Sequence, residues 1–249
     1  MNKNMKVLSG STPEQIDSRA HFFELFRNSP VPAAERLSNL GLYLNRQTLS
    51  RILLMQELYQ KIVPVHGVIM EFGVRWGQNL SLFSSFRGMY EPYNYNRKIV
   101  GFDTFCGFPS VDAKDGDYVA PGDYGVTEGY DSHLEQVLAY HESESPIPHK
   151  RKFELVKGDA CRTIHEYLER HPETVVALAY FDFDIYQPTK TCLEAIRGRL
   201  TRGSVVAFDE VNCPEFPGET LALKEVLGLD RYALRRSPLN PLCSYLVID

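Results

Sequence analysis

Five stretches of this chain place a carboxylate at or just behind the end of an apolar run. Glu71 closes Val68-Ile69-Met70, Asp103 closes Ile99-Val100-Gly101-Phe102, and Asp159 follows residues 153–158. Asp182 and Asp184 follow the apolar run 174–181, and Asp209 with Glu210 follow 203–208. Carboxylates gathered in one place repel and raise one another's pKa, so they call for cations. Asp182, Asp209 and Glu210 suit a hard divalent ion bound through oxygen. No histidine stands beside them in sequence, which favours magnesium over zinc, with manganese or calcium as substitutes. An acid after a strand is also an ordinary helix N-cap, and both readings stand at this point.

The elements that position these acids can be read around residues 67–103. A short apolar run, a turn holding Gly73 and Gly77, a helical stretch 78–86 and a second run ending in Asp103 follow one another. That is the order of a nucleotide-binding βαβ unit, whose second acid hydrogen-bonds ribose hydroxyls. The turn lacks G-x-G-x-x-G, and Glu71 would repel a phosphate. A cationic ligand suits it better, and S-adenosylmethionine carries an ammonium and a sulfonium. This favours that cofactor over NAD, with Glu71, Gly73, Asn79, Ser81, Asp103 and Thr104 as expected contacts. Asp159 is expected either to accept from an adenine amino group or to cap a helix. A plain glycine turn of another α/β fold is the alternative.

Taken as a whole, the 249 residues predict one α/β domain with trimmings. Hydrophobic residues make up 43% and the net charge is −5, with no basic block, which argues against a nucleic-acid partner. The five scattered cysteines suggest reduced thiols in a cytoplasmic protein. Residues 1–15 are polar, without a signal-peptide pattern, and no apolar run has the length of a membrane span. Residues 1–13 are expected to be mobile and 1–64 to form a helical cap, with helices over 13–26 and 48–63. Asn45 and Arg46, just before the second helix, either reach the cofactor or merely cap the helix. The apolar sides of these helices hint at a homo-oligomer. Residues 65–249 form the main domain. Strands are expected at 153–159, 174–181 and 203–208, with two closing strands at 231–235 and 244–248. Alternation of strand and helix gives a mainly parallel, seven-stranded sheet with helices on both faces. Residues 110–150, rich in acids and glycines, read as an inserted lid over a cleft. His133 in that lid is a candidate to meet a substrate, whereas the other histidines read as surface residues.

Glu71-Phe72-Gly73-Val74, the 101–109 run Gly-Phe-Asp-Thr-Phe-Cys-Gly-Phe-Pro, Asp182-Phe183-Asp184-Ile185-Tyr186 and Asp209-Glu210 together resemble the macrocin-type O-methyltransferases. Within that family they resemble the rhamnose O-methyltransferase type of enediyne antibiotic pathways. The resemblance implies a Rossmann-like class I methyltransferase fold. It also implies methyl transfer from S-adenosylmethionine, with magnesium, to a deoxysugar hydroxyl on a nucleotide-linked or aglycone-linked acceptor. It makes Asp182, Asp209 and Glu210 the metal ligands and Asp184 the general base. The sequence departs from the family in having Phe183 between the paired acids, Glu210 in place of a second Asp, and Arg75-Trp76 in the turn. A catechol-type enzyme acting on an aromatic diol and a catalytically silent adenosyl-ligand binder are the other readings.

Overall fold

The computed structural model describes residues 11–249. Of the stretch expected to be mobile, residues 1–10 lie outside the described residues, while Thr12 and Pro13 open a helix.

That helix, α1 (Pro13–Arg27), starts with a reciprocal capping box between Thr12 and Gln15. None of its residues is buried, and Ile16, Phe23, Leu25 and Phe26 are exposed. The short α2 (Ala33–Arg36) and a 3-10 turn (Leu40–Tyr43) lead to α3 (Arg46–Ile62). Asn45 caps α3 by accepting from Thr48 N at 2.9 Å. Its buried stripe is Leu54, Met55, Leu58, Tyr59 and Ile62. Leu49 and Leu53, apolar residues of the same helix, are exposed. Within the expected cap, then, α3 is the helix that packs on the sheet.

The sheet has the order β3-β2-β1-β4-β5-β7-β6. Its strands are β1 (Val68–Phe72), β2 (Ile99–Asp103), β3 (Phe153–Lys157), β4 (Val176–Phe181), β5 (Leu200–Phe208), β6 (Arg235–Arg236) and β7 (Ser244–Val247). The first five pair in parallel, and β7 runs antiparallel to both neighbours. The closing strand expected at 231–235 shrinks to two residues at the sheet edge. The fully buried β1 and β4 are nearly continuous apolar runs because both faces are covered.

One face carries α6 (Ala160–Arg170), α7 (Tyr186–Ile196) and α8 (Pro217–Val226), packed through Ile164, Leu193 and Leu223. The other carries α3, α4 (Gln78–Tyr90) and α5 (Tyr130–Ser143), packed through Leu58, Phe83 and Leu138. The expected lid over 110–150 holds a helix, which the sequence suggests over 133–140 and which is longer in the structure. Residues 130–143 are the crossover helix between β2 and β3, and its buried Glu142 is paired with Arg87 of α4. The acids and glycines around it disguise the apolar contact of two leucines about one helical turn apart, Leu134 and Leu138.

The register aligns the strand ends. Phe72 pairs with Phe102 and Phe181, and Phe181 with Phe208. Their rings stack across four adjacent strands at 5.0, 4.5 and 5.3 Å between centroids. Each such pair contributes about 0.5–1.5 kcal/mol beyond area burial. Because these phenylalanines stand at one level, at the ends of β1, β4 and β5 and one residue before the end of β2, the next residues, Gly73, Asp103, Asp182 and Asp209, share one rim. Side chains alternate along a strand. The phenylalanines face α6–α8, so the acids one residue away lean towards α3 and α4.

Candidate active site

A cleft of ≈ 330 Å³ opens at the carboxyl ends of β1, β2, β4 and β5. An open parallel sheet places its ligand site there. At its floor the chain turns from β1 into α4. Gly73 has φ +94°, and a Cβ there would stand 2.0 Å from the Asp182 carbonyl oxygen, so the position takes no side chain. The Asp103 carboxylate holds this turn closed. Oδ2 accepts from Val74 N and Arg75 N, each at 2.7 Å, and Oδ1 accepts from Phe105 N at 2.6 Å. The expected ribose contact is thus also the staple between the first two strand ends. Thr104 Oγ1 donates to Gly107 O at 2.7 Å and shapes the following turn.

Glu71 and Asn79 face each other across the turn. Asn79 Nδ2 donates to Glu71 Oε1 at 2.8 Å, while Glu71 Oε2 and Asn79 Oδ1 are buried without partners. Burial pushes the Glu71 carboxyl well above its ordinary range, against the stabilising Asn79 hydrogen bond. Two orphaned acceptors side by side fit an ammonium group, which would find an acceptor in each and would favour the charged form of Glu71. Asp159 lines the same cleft and caps α6 through Cys161 N at 2.9 Å, so the capping alternative is realised here.

At the far side the acids converge. Carboxylate oxygens of Asp182, Asp184 and Glu210 lie within 4.8 Å of one another. Burial and then Asp209 push Asp182 up to about 8, against the pull of Arg51. Burial likewise raises Asp184, and burial with the neighbouring acids raises Glu210. Beneath them lies the fully buried Glu219 of α8. It accepts from Phe183 N at 3.1 Å and from Glu210 N at 3.3 Å, tying the ends of β4 and β5 together. Asp184 adopts φ +62°, a left-handed conformation that aspartate enters more readily than most side chains, and its carboxylate lies in hydrogen-bonding reach of Glu210 and Tyr124. Glu210 Oε2 is buried without a partner. An all-oxygen donor set with an orphaned buried carboxylate oxygen fits a hard divalent ion.

Asp209 is placed differently from expectation. Both its oxygens lie 3.0 Å from Arg51 Nη1, and Tyr180 OH donates to Oδ1 as well. The group formed by the structure is Asp182, Asp184 and Glu210, with Asp209 beside it in an ion pair. Four other expected contacts fall outside the cleft lining. Asn45 is occupied as the α3 cap, Arg46 is exposed, and Ser81, one turn into α4, does not line the cleft. His133 is exposed on α5, its ring against Tyr130 at 5.6 Å, because Leu134 takes the buried side of that helix.

Arg51, Tyr124, Glu219 and Tyr180 did not emerge from the sequence reading. Arg51 had a legible signal: it lies three, four and seven residues before Leu54, Met55 and Leu58, on the helical face those residues bury. A charged residue on that face implies a buried partner. Arg75, with φ +48°, stacks its guanidinium 4.9 Å from the Tyr124 ring at the cleft wall.

The strand order, the glycine turn and the acidic rim define a class I methyltransferase. The comparisons carry this to a family. CalS11, a calicheamicin methyltransferase, superposes with a TM-score of 0.92 at 44% identity, over 99% of this chain and 97% of that one. The apo form of CalS11, described as a TDP-rhamnose 3'-O-methyltransferase of calicheamicin biosynthesis, gives 0.85 at 43% identity, over 96% of each chain. The O-methyltransferase NovP shares the fold, with a TM-score of 0.60 at 16% identity over 80% of this chain and 79% of its own. No protein-family model and no curated sequence matches the chain. The chain belongs to the CalS11 family, the S-adenosylmethionine-dependent sugar O-methyltransferases of antibiotic biosynthesis. No described helix is long and apolar enough to cross a membrane.

Proposed function

We propose that this protein methylates a ring hydroxyl of a nucleotide-linked deoxyhexose of the TDP-rhamnose type, with a divalent ion at its acidic rim. The observation that carries the reading is the convergence of Asp182, Asp184 and Glu210 on the rim that also holds the Glu71–Asn79 pair. CalS11 is described as acting on TDP-rhamnose at the 3' position, and this chain matches it over nearly its whole length.

Each residue then has a task. Glu71 and Asn79 hold the amino end of the cofactor, Asp103 and Gly73 keep the turn that receives it, and Thr104 and Asp159 line its path. Asp182 and Glu210, common to the resemblance and to the observed group, are the residues that hold magnesium, or manganese or calcium in its place. A bound divalent ion supplies the Lewis acidity that makes a sugar hydroxyl a usable nucleophile. Asp184 accepts the hydroxyl proton. Burial raises its pKa, which brings its basicity nearer to neutral pH than an ordinary aspartate allows. Glu219, which ties Phe183 N to Glu210 N, steadies the backbone that carries Asp184 as the methyl group moves in line. The remaining positions of the expectation, Ser81, Asn45, Arg46 and His133, have no part in this mechanism.

The exposed apolar residues of α1 and of the 3-10 turn support assembly into a homo-oligomer.

The test is methyl transfer from S-adenosylmethionine to TDP-rhamnose, read by mass spectrometry with and without chelator. Methylated nucleotide-sugar that disappears on chelation and returns with magnesium is expected. Turnover indifferent to chelation removes the ion from the mechanism. Methylation of rhamnosides but never of TDP-rhamnose moves the acceptor to an aglycone-linked sugar.

A further inference from the structure

Three arginines of this protein touch carboxylates in its interior, and they are not alike. Arg87 and Arg97 have side chains 2% and 1% exposed and bind two and three backbone carbonyls respectively, so they are parts of the scaffold. Arg51 is 27% exposed and its hydrogen bonds all go to acids of the rim. Nη2 lies 2.6 Å from Asp182 Oδ2, and Nη1 lies 3.0 Å from each Asp209 oxygen. Its guanidinium therefore bridges the ends of β4 and β5, the place the acidic rim offers to a divalent ion. The helix that carries it is anchored further on, at Leu54, Met55 and Leu58, so the side chain can leave without unpacking α3. Charge balance points the same way. Asp182, Asp184, Asp209, Glu210 and Glu219 crowd this end of the cleft, and among the described residues that line it the cationic side chains are Arg51 and Arg75. Arg75 rests against the Tyr124 ring with its Nε buried and unpartnered, and it makes no bond to the rim carboxylates that Arg51 holds. A diphosphate entering such a cleft meets repulsion unless a guanidinium is freed to receive it.

We propose that Arg51 is an exchangeable counter-ion: it holds Asp182 and Asp209 in the unloaded protein, yields Asp209 to the divalent ion, and is thereby released to the diphosphate of the nucleotide-sugar. The inference rests on the metal-assisted, nucleotide-sugar reading given above. It restores Asp209 as the third ligand alongside Asp182 and Glu210, and leaves Asp184 free to take a proton. It also makes ion binding and nucleotide binding mutually supportive, because one event vacates the group the other needs.

The experiment uses the full chain stripped of metal, with Mn²⁺ as probe and free Mn²⁺ read by electron paramagnetic resonance. Wild type, Arg51→Met and Arg51→Lys are titrated. Removing the competitor is expected to tighten Mn²⁺ binding in Arg51→Met by about tenfold, equivalent to about 1.4 kcal/mol. Arg51→Lys, a single point charge that cannot span both acids, falls between the two and serves alone should the methionine variant not fold. With Mn²⁺ saturating, calorimetric binding of TDP is expected to weaken about tenfold in Arg51→Met. Mn²⁺ affinity equal to or weaker than wild type in both variants, or TDP binding that ignores Arg51, overturns the exchange while leaving the metal reading intact. Absence of Mn²⁺ binding in all three proteins overturns both.

Discussion

Asp184 sits at the tightest spot of the rim, buried, with a left-handed backbone and in hydrogen-bonding reach of Glu210 and Tyr124. Replacing it by asparagine keeps shape and removes basicity. Asp184→Asn is expected to lower kcat by about 10²–10⁴-fold, the usual worth of general-base catalysis, while calorimetric affinity for S-adenosylmethionine stays within twofold of wild type. Retained turnover would take Asp184 out of the mechanism. Asp182 makes a pH prediction. Burial and then Asp209 push its carboxyl from an ordinary 3.8 up to about 8, against the opposing pull of Arg51. Between those values the folded state keeps a proton that the unfolded state has lost, so stability falls as pH rises. In chelator, the melting temperature of the wild type should drop by several degrees from pH 5 to pH 8.5. Asp182→Asn should flatten that slope, and parallel slopes for the two proteins would contradict it.

At the scale of elements, the β1–α4 turn and the α4–α5 pairing deserve separate tests because they fail differently. A methyl group on Gly73 has nowhere to go, since it meets the carbonyl of Asp182, and the backbone there lies in the left-handed region. Gly73→Ala should cost more than about 2 kcal/mol and abolish cofactor binding at the same time, because the turn and the strand end move together. Arg87 joins α4 to Glu142 of α5 and to Lys152 O at 2.9 Å. Arg87→Met leaves a buried carboxylate short of a partner, which costs about 3–5 kcal/mol. Lys152 Nζ stays 3.0 Å from Glu142, so the lower end is expected. Denaturant melts should show that loss with S-adenosylmethionine affinity little changed, since Arg87 lies outside the cleft lining. A loss of cofactor binding as large as in Gly73→Ala would mean that α5 contributes to the site.

For the whole molecule, the open question is what covers the N-terminal helices. Phe23 is 58% exposed, Leu37 84% and Leu42 62%, all ahead of the helix that docks on the sheet. Assembly through these residues predicts that Phe23→Glu combined with Leu42→Glu yields a smaller species by analytical ultracentrifugation, with cofactor affinity unchanged. A wild-type protein that sediments as a monomer at micromolar concentration, or a double variant with the wild-type mass, speaks against assembly by this face.

The architecture was legible because buried parallel strands are nearly continuous apolar runs, and Val68–Phe72 and Val176–Phe181 can be little else. The acids at their ends were legible for the same reason: each interrupts such a run one step past its phenylalanine. The helix Tyr130–Ser143 was read as part of a lid, since its two core leucines lie among charged and aromatic residues that face outward. His133 followed that reading to the wrong side of the helix. Local sequence therefore determined the strands, the glycine turn and the identity of the acidic rim. Tertiary structure alone decided which acids group together, because Arg51 reaches Asp182 and Asp209 across 131 and 158 residues of chain only when α3 lies over the sheet. Periodicity says which face of a helix is buried, but the partner waiting on the other side belongs to a different part of the chain.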